Sequence, residues 1–373
     1  MADTRFTEIF ANRYARLKEL KEQGKRIIGW VCIYVPEEIL HAAGFLPIRI
    51  LGSADETSIA DAYLYSNNCS FGKNCLEDAF QGHYDSLDGM VTCNSCDVMR
   101  RFYDMWEIYL KTPFTHIMTV PCRGDESVVP GFRNELMRFK GKLEEAFSLE
   151  IQPEALRESI ALYNRTRRLL RELWELRKAD PPPLSGAEAL EVILAGMVMP
   201  KEEFNPLLES YIGEVRARKA SNGSAQKIRL LLTGPELADP GYVRFIEELG
   251  SVVAIDDLSC GTRYFWDLVE EAGDPWETLA RRYATRQATC PRVHPQGQRI
   301  EHLKQLARDY KVEAVIDSII KFCESHGGIT PILKREFAEL GLPMLHLERE
   351  YQMGSRGQLR TRVQAFFESL DRG

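Results

Sequence analysis

Apolar residues recur along this chain in two rhythms, and the alternation between them sets the expected architecture. Phe6, Ile9, Phe10, Tyr14 and Leu17 fall at helical spacing and predict a helix over 5–24. KRIIGWVCIYVP (25–36) is a continuous apolar run of strand length that ends at Pro36. Glu37 and Glu38 then open a helix, EEILHAAG, with acids at the positive end of its dipole and Gly44 as its stop. The apolar run FLPIRILG follows at once. The same order repeats in the strand-like DGMVTC (88–93), the helix-like SCDVMRRFYDMWEIYLK and the strand-like FTHIMTVP (114–121). Such alternation implies a parallel sheet covered by helices on both faces.

From about 131 to 222 the pattern is helical, broken by DPPPLSG and Pro200. Ser185, with Glu188 behind it, makes a capping box before GAEALEVIL. ASNGSAQ (220–226) reads as a linker. Beyond it KIRLLLTG, SVVAIDDLSC (251–260), VEAVIDSIIKFC (312–323) and LPMLHLE (342–348) read as strands. DPGYVRFIEELG, GITPILKREFAELG and the closing GQLRTRVQAFFESL read as helices. The expectation is two similar α/β domains, 1–150 and 223–373, joined by a helical segment over 151–222.

Composition narrows this picture. A length of 373 residues suits about two domains. With 44% hydrophobic and 28% charged residues the chain matches an ordinary globular protein. A net charge of −7 leaves no basic surplus for nucleic acid. The N-terminus has no apolar h-region, and runs such as AVIDSII fall far short of the ~20 residues that span a bilayer. A cytoplasmic chain without membrane partners is therefore expected. No G-x-G-x-x-G or G-x-x-x-x-G-K-[ST] occurs, so neither an NAD site nor an ATP site is expected.

In a reducing compartment nine cysteines read as free thiols or metal ligands. Cys93 and Cys96 form a C-x-x-C in VTCNSCDVMRRFYDMW, a spacing open to a redox pair, half of a zinc site, one corner of a metal cluster, or two core thiols. Position says more than spacing. Cys69 and Cys75 lie where a loop enters a helix, while Cys93, Cys96, Cys260 and Cys323 fall at predicted strand ends. Cys290 is in a loop, Cys122 follows a strand, and Cys32 reads as a mid-strand core thiol. Ligands of open α/β sheets bind beyond the carboxyl ends of the strands. Thiols gathered there in both domains could meet in one interdomain cleft, and without zinc-finger spacing they favour iron–sulfur over structural zinc.

YVPEEILHAAGFLPIRILG, CSFGKNC, DGMVTCNSCDVMRRFYDMW, DDLSCGTRYFW, LARRYATRQATCPR, KFCESHGG and LPMLHLEREYQMGSRGQLRTRVQAFFE, in this order, resemble the 2-hydroxyacyl-CoA dehydratase and benzoyl-CoA reductase superfamily over essentially the whole chain. The resemblance implies two flavodoxin-like (Rossmann-like) parallel-sheet domains with a metal cluster in the interdomain cleft. It implies a [4Fe-4S] cluster on Cys69, Cys96 and Cys323, with one iron left open to polarise a substrate oxygen. It further implies a dimer with a homologous or identical subunit, and a separate ATP-hydrolysing iron–sulfur activator that supplies a low-potential electron. The substrate would be an acyl-CoA, either dehydrated through a ketyl radical or reduced as a benzoyl-CoA. One branch carries a double-cubane [8Fe-9S] cluster and acts on small molecules other than CoA esters. Cys75, Cys260 and Cys290 are candidates for its second half. An electron-transfer subunit without substrate is the remaining alternative.

Other polar residues have plain alternatives. Asp97 could orient a ligand cysteine or cap its helix. Arg100 and Arg101 could hold CoA phosphates or pair with Asp104. Glu37, His41 and Glu348 are candidate acid–base residues, although Glu37 and Glu38 also suit a helix dipole. Glu348 and Glu350 could equally pair with Arg360 or Arg362.

Overall fold

The computed structural model describes residues 4–53, 56–218, 227–354 and 356–370. Two four-stranded, wholly parallel sheets organise the chain. The first contains β1 (Ile27–Trp30), β2 (Leu46–Arg49), β3 (Gly89–Cys93) and β4 (Phe114–Met118) in the order β2-β1-β3-β4. The second contains β5 (Ile228–Thr233), β6 (Ser251–Asp257), β7 (Ala314–Ile320) and β8 (Met344–Arg349) in the order β6-β5-β7-β8. The two orders are the same, as the flavodoxin-like expectation required. Each reverses direction between its first and third strands, where the crevice beyond the carboxyl ends opens.

β1, β3, β5, β6 and β7 are buried almost throughout, which explains why they read as apolar runs without alternation. Between the sheets run the helices Pro153–Glu175, Gly186–Gly196 and Lys201–Ala217. Gly186–Gly196 is buried at every position but Glu188, and Ser185 and Glu188 close the expected capping box. Gly44, at φ +78, ends the helix Glu37–Ala42.

Some elements depart from the pattern. The N-terminal helix is two, Arg5–Ala11 and Arg13–Glu22, hinged at Asn12. Helices Thr262–Phe265, Pro275–Thr285 and Gly297–Asp309 had no sequence expectation. β1 stops at Trp30, so Cys32 lies beyond the strand rather than within it. Residues 220–226, the expected linker, lie outside the described residues. Among the described residues no helix is long and apolar enough to cross a membrane.

Candidate functional site

Cys96 follows β3 and Cys323 follows β7 at the same interval, so the two sheets present equivalent thiols. Each occupies the N-cap position of the next helix, Asp97–Tyr109 and Glu324–Glu339. Cys69 occupies the same position before Ser70–Phe80. Three helix N-termini, each headed by a cysteine, therefore meet across the gap between the sheets. None closes a capping hydrogen bond through its side chain. The nearby amides still favour negative charge on sulfur: Gly72 and Phe71 at Cys69, Met99 at Cys96, His326 at Cys323.

The three cysteines form a neck between two spaces. On one side an open cleft is lined by Tyr63, Tyr65, Arg101, Met105 and Phe322. On the other is a smaller inner chamber of about 100 Å³, bordered by Cys32, Tyr34, Glu236, Cys290, Arg292 and His326. Cys69, Cys96 and Cys323 line both. Phe322, just before Cys323, is exposed and holds a positive φ of 64, which is strained for an aromatic residue.

Burial dominates the thiol chemistry. It pushes Cys69 and Cys323 up and Cys96 up to about 12, so without a metal the sulfurs stay protonated at neutral pH. Cys32 goes the other way, to about 6, because the Cys93 thiol hydrogen-bonds to it and Ser95 adds to that effect. All nine cysteines are free. Among the described residues no three His, Cys, Asp or Glu side chains gather tightly enough to ligate one ion. A zinc ion needs its sulfurs at about 2.3 Å. The cysteine neck instead suits a larger group with several metal atoms.

The C-x-x-C resolves into two separate thiols. Cys93 is wholly buried at the end of β3 and lines neither space, whereas Cys96 faces both. Among the further candidates, Cys290 borders the inner chamber but Cys75 and Cys260 do not. Cys75 is buried in the helix Ser70–Phe80, and Cys260 donates its S–H to Glu236 Oε2 at 3.0 Å. Cys122, which follows β4, is exposed.

The acid–base candidates sit elsewhere. Glu37 is buried 3.5 Å from Lys201 Nζ, and Glu38 is held by Arg167 and by the Tyr283 hydroxyl at 2.9 Å. His41 spans Ser159 at 3.0 Å and Glu202 at 2.8 Å. Glu348 is exposed on β8 and lines neither space. Glu350 pairs with Lys321 at 3.4 Å, while Arg362 donates to the His346 carbonyl, so the anticipated pairings with Arg360 and Arg362 do not form. Asp97 is the first helical residue, since Cys96 takes the cap. Arg101 pairs with Asp104 at 3.1 Å and with Asp97 at 3.6 Å.

Sequence reasoning missed the chamber's polar wall. Glu236 is its one carboxylate, fixed by Arg49 at 2.7 Å. Arg292 donates to the carbonyls of Ser95, Val120 and Pro121 at 2.9, 3.0 and 2.7 Å, tying the Cys290 loop to the segment that carries Cys96. His326 stays neutral, its pKa well below the usual value through burial and the facing Arg263 and Arg299. These residues sit in loops or helix starts, where no periodicity marks them.

Comparison with known proteins fits this arrangement. The chain is 27% identical over 356 residues to the (R)-phenyllactyl-CoA dehydratase beta subunit of Clostridium sporogenes, covering 95% of this chain and 94% of that protein. It is 26% identical over 366 residues to one of the benzoyl-CoA reductase subunits of Thauera aromatica, with 95% and 94% covered. It is 30% identical over 377 residues to YjiM of Escherichia coli, with 98% and 97% covered. The family model described as 2-hydroxyglutaryl-CoA dehydratase, D-component, matches residues 32–370. That span takes in the whole second sheet, β2, β3 and β4 of the first, and all three neck cysteines, and the chain belongs to this family, within the 2-hydroxyacyl-CoA dehydratase and benzoyl-CoA reductase superfamily.

Proposed function

We propose that this chain is the cluster-bearing subunit of a low-potential enzyme acting on an acyl-CoA thioester by one-electron chemistry, either 2-hydroxyacyl-CoA dehydration or benzoyl-CoA-type reduction. The observation that carries the reading is the neck of Cys69, Cys96 and Cys323, three N-cap thiols shared by two spaces. These residues would hold a [4Fe-4S] cluster. When bound, such a cluster supplies single electrons at low potential and one open iron position.

The chain's own residues divide the remaining work. The helix N-termini favour the thiolate state that burial opposes. The open cleft, with Tyr63, Tyr65 and Phe322, is the side with room for a substrate. Glu236, held by Arg49, places a carboxylate on the wall of the chamber. A homologous or identical subunit and an ATP-hydrolysing activator complete the proposed system, with the electron delivered from the activator.

One observation favours a second reading. Cys32 and Cys290 border the same inner chamber as the three neck cysteines, which suits a larger, double-cubane cluster in a homodimer acting on small molecules. Iron analysis of anaerobically purified protein separates the two: about four iron atoms per chain for a single cubane and about eight for the double one. Cys96→Ser and Cys323→Ser should lose most of the iron, and Cys93→Ser should keep it. A wild-type chain free of iron and sulfide would end both readings.

A further inference from the structure

Cys323 has a partner within its own helix. His326 is 4% exposed, and its Nδ1 lies 3.3 Å from the Cys323 Sγ. Its Nε2 lies 3.0 Å from Nη1 of Arg263. Arg263 is itself wholly buried. Its Nη2 donates to the Gly234 carbonyl, and its Nε sits 3.6 Å from Asp257 Oδ1. Asp257 in turn accepts from Arg299 and from the Thr233 hydroxyl at 2.9 Å.

This chain of contacts fixes one proton. A guanidinium only donates hydrogen bonds, so at the 3.0 Å contact His326 Nε2 accepts from Arg263, while the Gly234 carbonyl that also faces the imidazole accepts from Arg263 Nη2. A neutral imidazole whose Nε2 accepts carries its hydrogen on Nδ1, the nitrogen that faces Cys323. The sulfur makes the same demand independently, because a metal-bound thiolate has no proton to give. Among the described residues, Cys69 and Cys96 have no comparable side-chain donor, so Cys323 is the distinct member of the three.

We infer that His326 is a positioning residue that donates a fixed Nδ1–H···S hydrogen bond to the Cys323 thiolate and thereby raises the reduction potential of the cluster held there, with Arg263 locking the tautomer. The inference rests on the iron–sulfur reading above. Hydrogen bonds to cluster sulfurs are a principal lever on potential, and outer hydrogen bonds also fix ligand orientation. The sign follows from charge. A donor facing sulfur stabilises the more electron-rich, reduced state, so its removal makes reduction harder.

The test is a redox titration followed by electron paramagnetic resonance on anaerobically purified protein. Wild type is compared with His326→Leu, His326→Gln and His326→Asn, with iron measured on each sample. The two amides separate tuning from packing. Asparagine can place an N–H where Nδ1 stood but does not reach Arg263. Glutamine can accept from Arg263 but offers Cys323 no donor. The expected result is a more negative midpoint for the leucine and glutamine variants, with the asparagine variant close to wild type. The inference is overturned if all three variants titrate like wild type, if glutamine rather than asparagine restores the potential, or if all three simply lose their iron. Iron absent from the wild type would instead overturn the iron–sulfur reading together with this one.

Discussion

Gly234 sits where β5 gives way to the inner chamber, and it has no room for a side chain. A Cβ there would fall on the Ser318 carbonyl oxygen of β7, and Gly234's own carbonyl accepts from Arg263. Backbone cannot swing aside as a flexible side chain can. Gly234→Ala should therefore part the ends of β5 and β7, at a cost of about 1–3 kcal/mol in unfolding free energy. On the iron–sulfur reading, the iron retained per chain should fall with it. Denaturant unfolding and iron analysis check this, and an unchanged midpoint with full iron would mean the strand ends have slack. The same scale shows where sequence reasoning stopped short. Cys32 lies in the apolar run IIGWVCIYV, and hydrophobicity cannot mark where strand pairing ends inside such a run. β1 pairs only as far as Trp30, leaving Cys32 at the chamber wall. Glu236, Arg263 and His326 were equally invisible, because their roles depend on neighbours far away in the chain.

At the scale of single elements, β4 carries a buried titratable group outside the site. His116 is packed flat on Phe139, with ring centroids 5.0 Å apart, and its Nε2 has no partner. Burial, aided by Arg138, lowers its pKa from 6.5 to about 4. Between those values the unfolded chain takes up a proton that the folded chain refuses. The stability linked to His116 is thus fully present above pH 6.5 and lost as pH falls toward 4. The shift corresponds to at most ~3 kcal/mol. His116→Phe, which keeps the stack, should gain stability over wild type by up to that amount as pH drops from 7 to 4. Urea unfolding at each pH measures the difference, and a gap independent of pH would refute the account. Most elements were legible in sequence for a clear reason. Parallel strands buried on both faces read as short apolar runs, and the Ser185 capping box is a local signal that tertiary packing left intact. The helices Pro275–Thr285 and Gly297–Asp309 were not legible: polar side chains, Arg282, Arg299 and His302 among them, are buried on their inner faces, so polarity does not separate the inner face from the outer one.

Across the whole molecule, a repeated sheet order made the cleft foreseeable, while the contacts that close it were not. The strand-end rule needs only topology, and both sheets obey it. Closure depends on one loop from the second half of the chain lying across the first. The Gly124 amide donates to the His294 carbonyl at 3.1 Å, and the His294 amide donates to the Cys122 carbonyl at 2.7 Å. Arg292 spends its guanidinium on three carbonyls of the first half, two of them just past β4 and one beside Cys96. Hydrogen bonds from a charged donor are each worth roughly 1.5–3 kcal/mol, and carbonyls left buried without a donor add to the loss. Arg292→Met keeps the bulk and removes all three, so it should cost about 3 kcal/mol or more and loosen the hold on Cys96. Arg133 supplies the comparison, since it also links the two halves, to Asp274 at 3.0 Å, but both side chains are 39% exposed. An exposed pair of that kind contributes about 1 kcal/mol or less. Arg133→Met should accordingly leave both the unfolding midpoint and the iron content near wild type, whereas Arg292→Met lowers both. Equal losses in the two variants would mean that the halves are held by their summed contact rather than by the Arg292 strap.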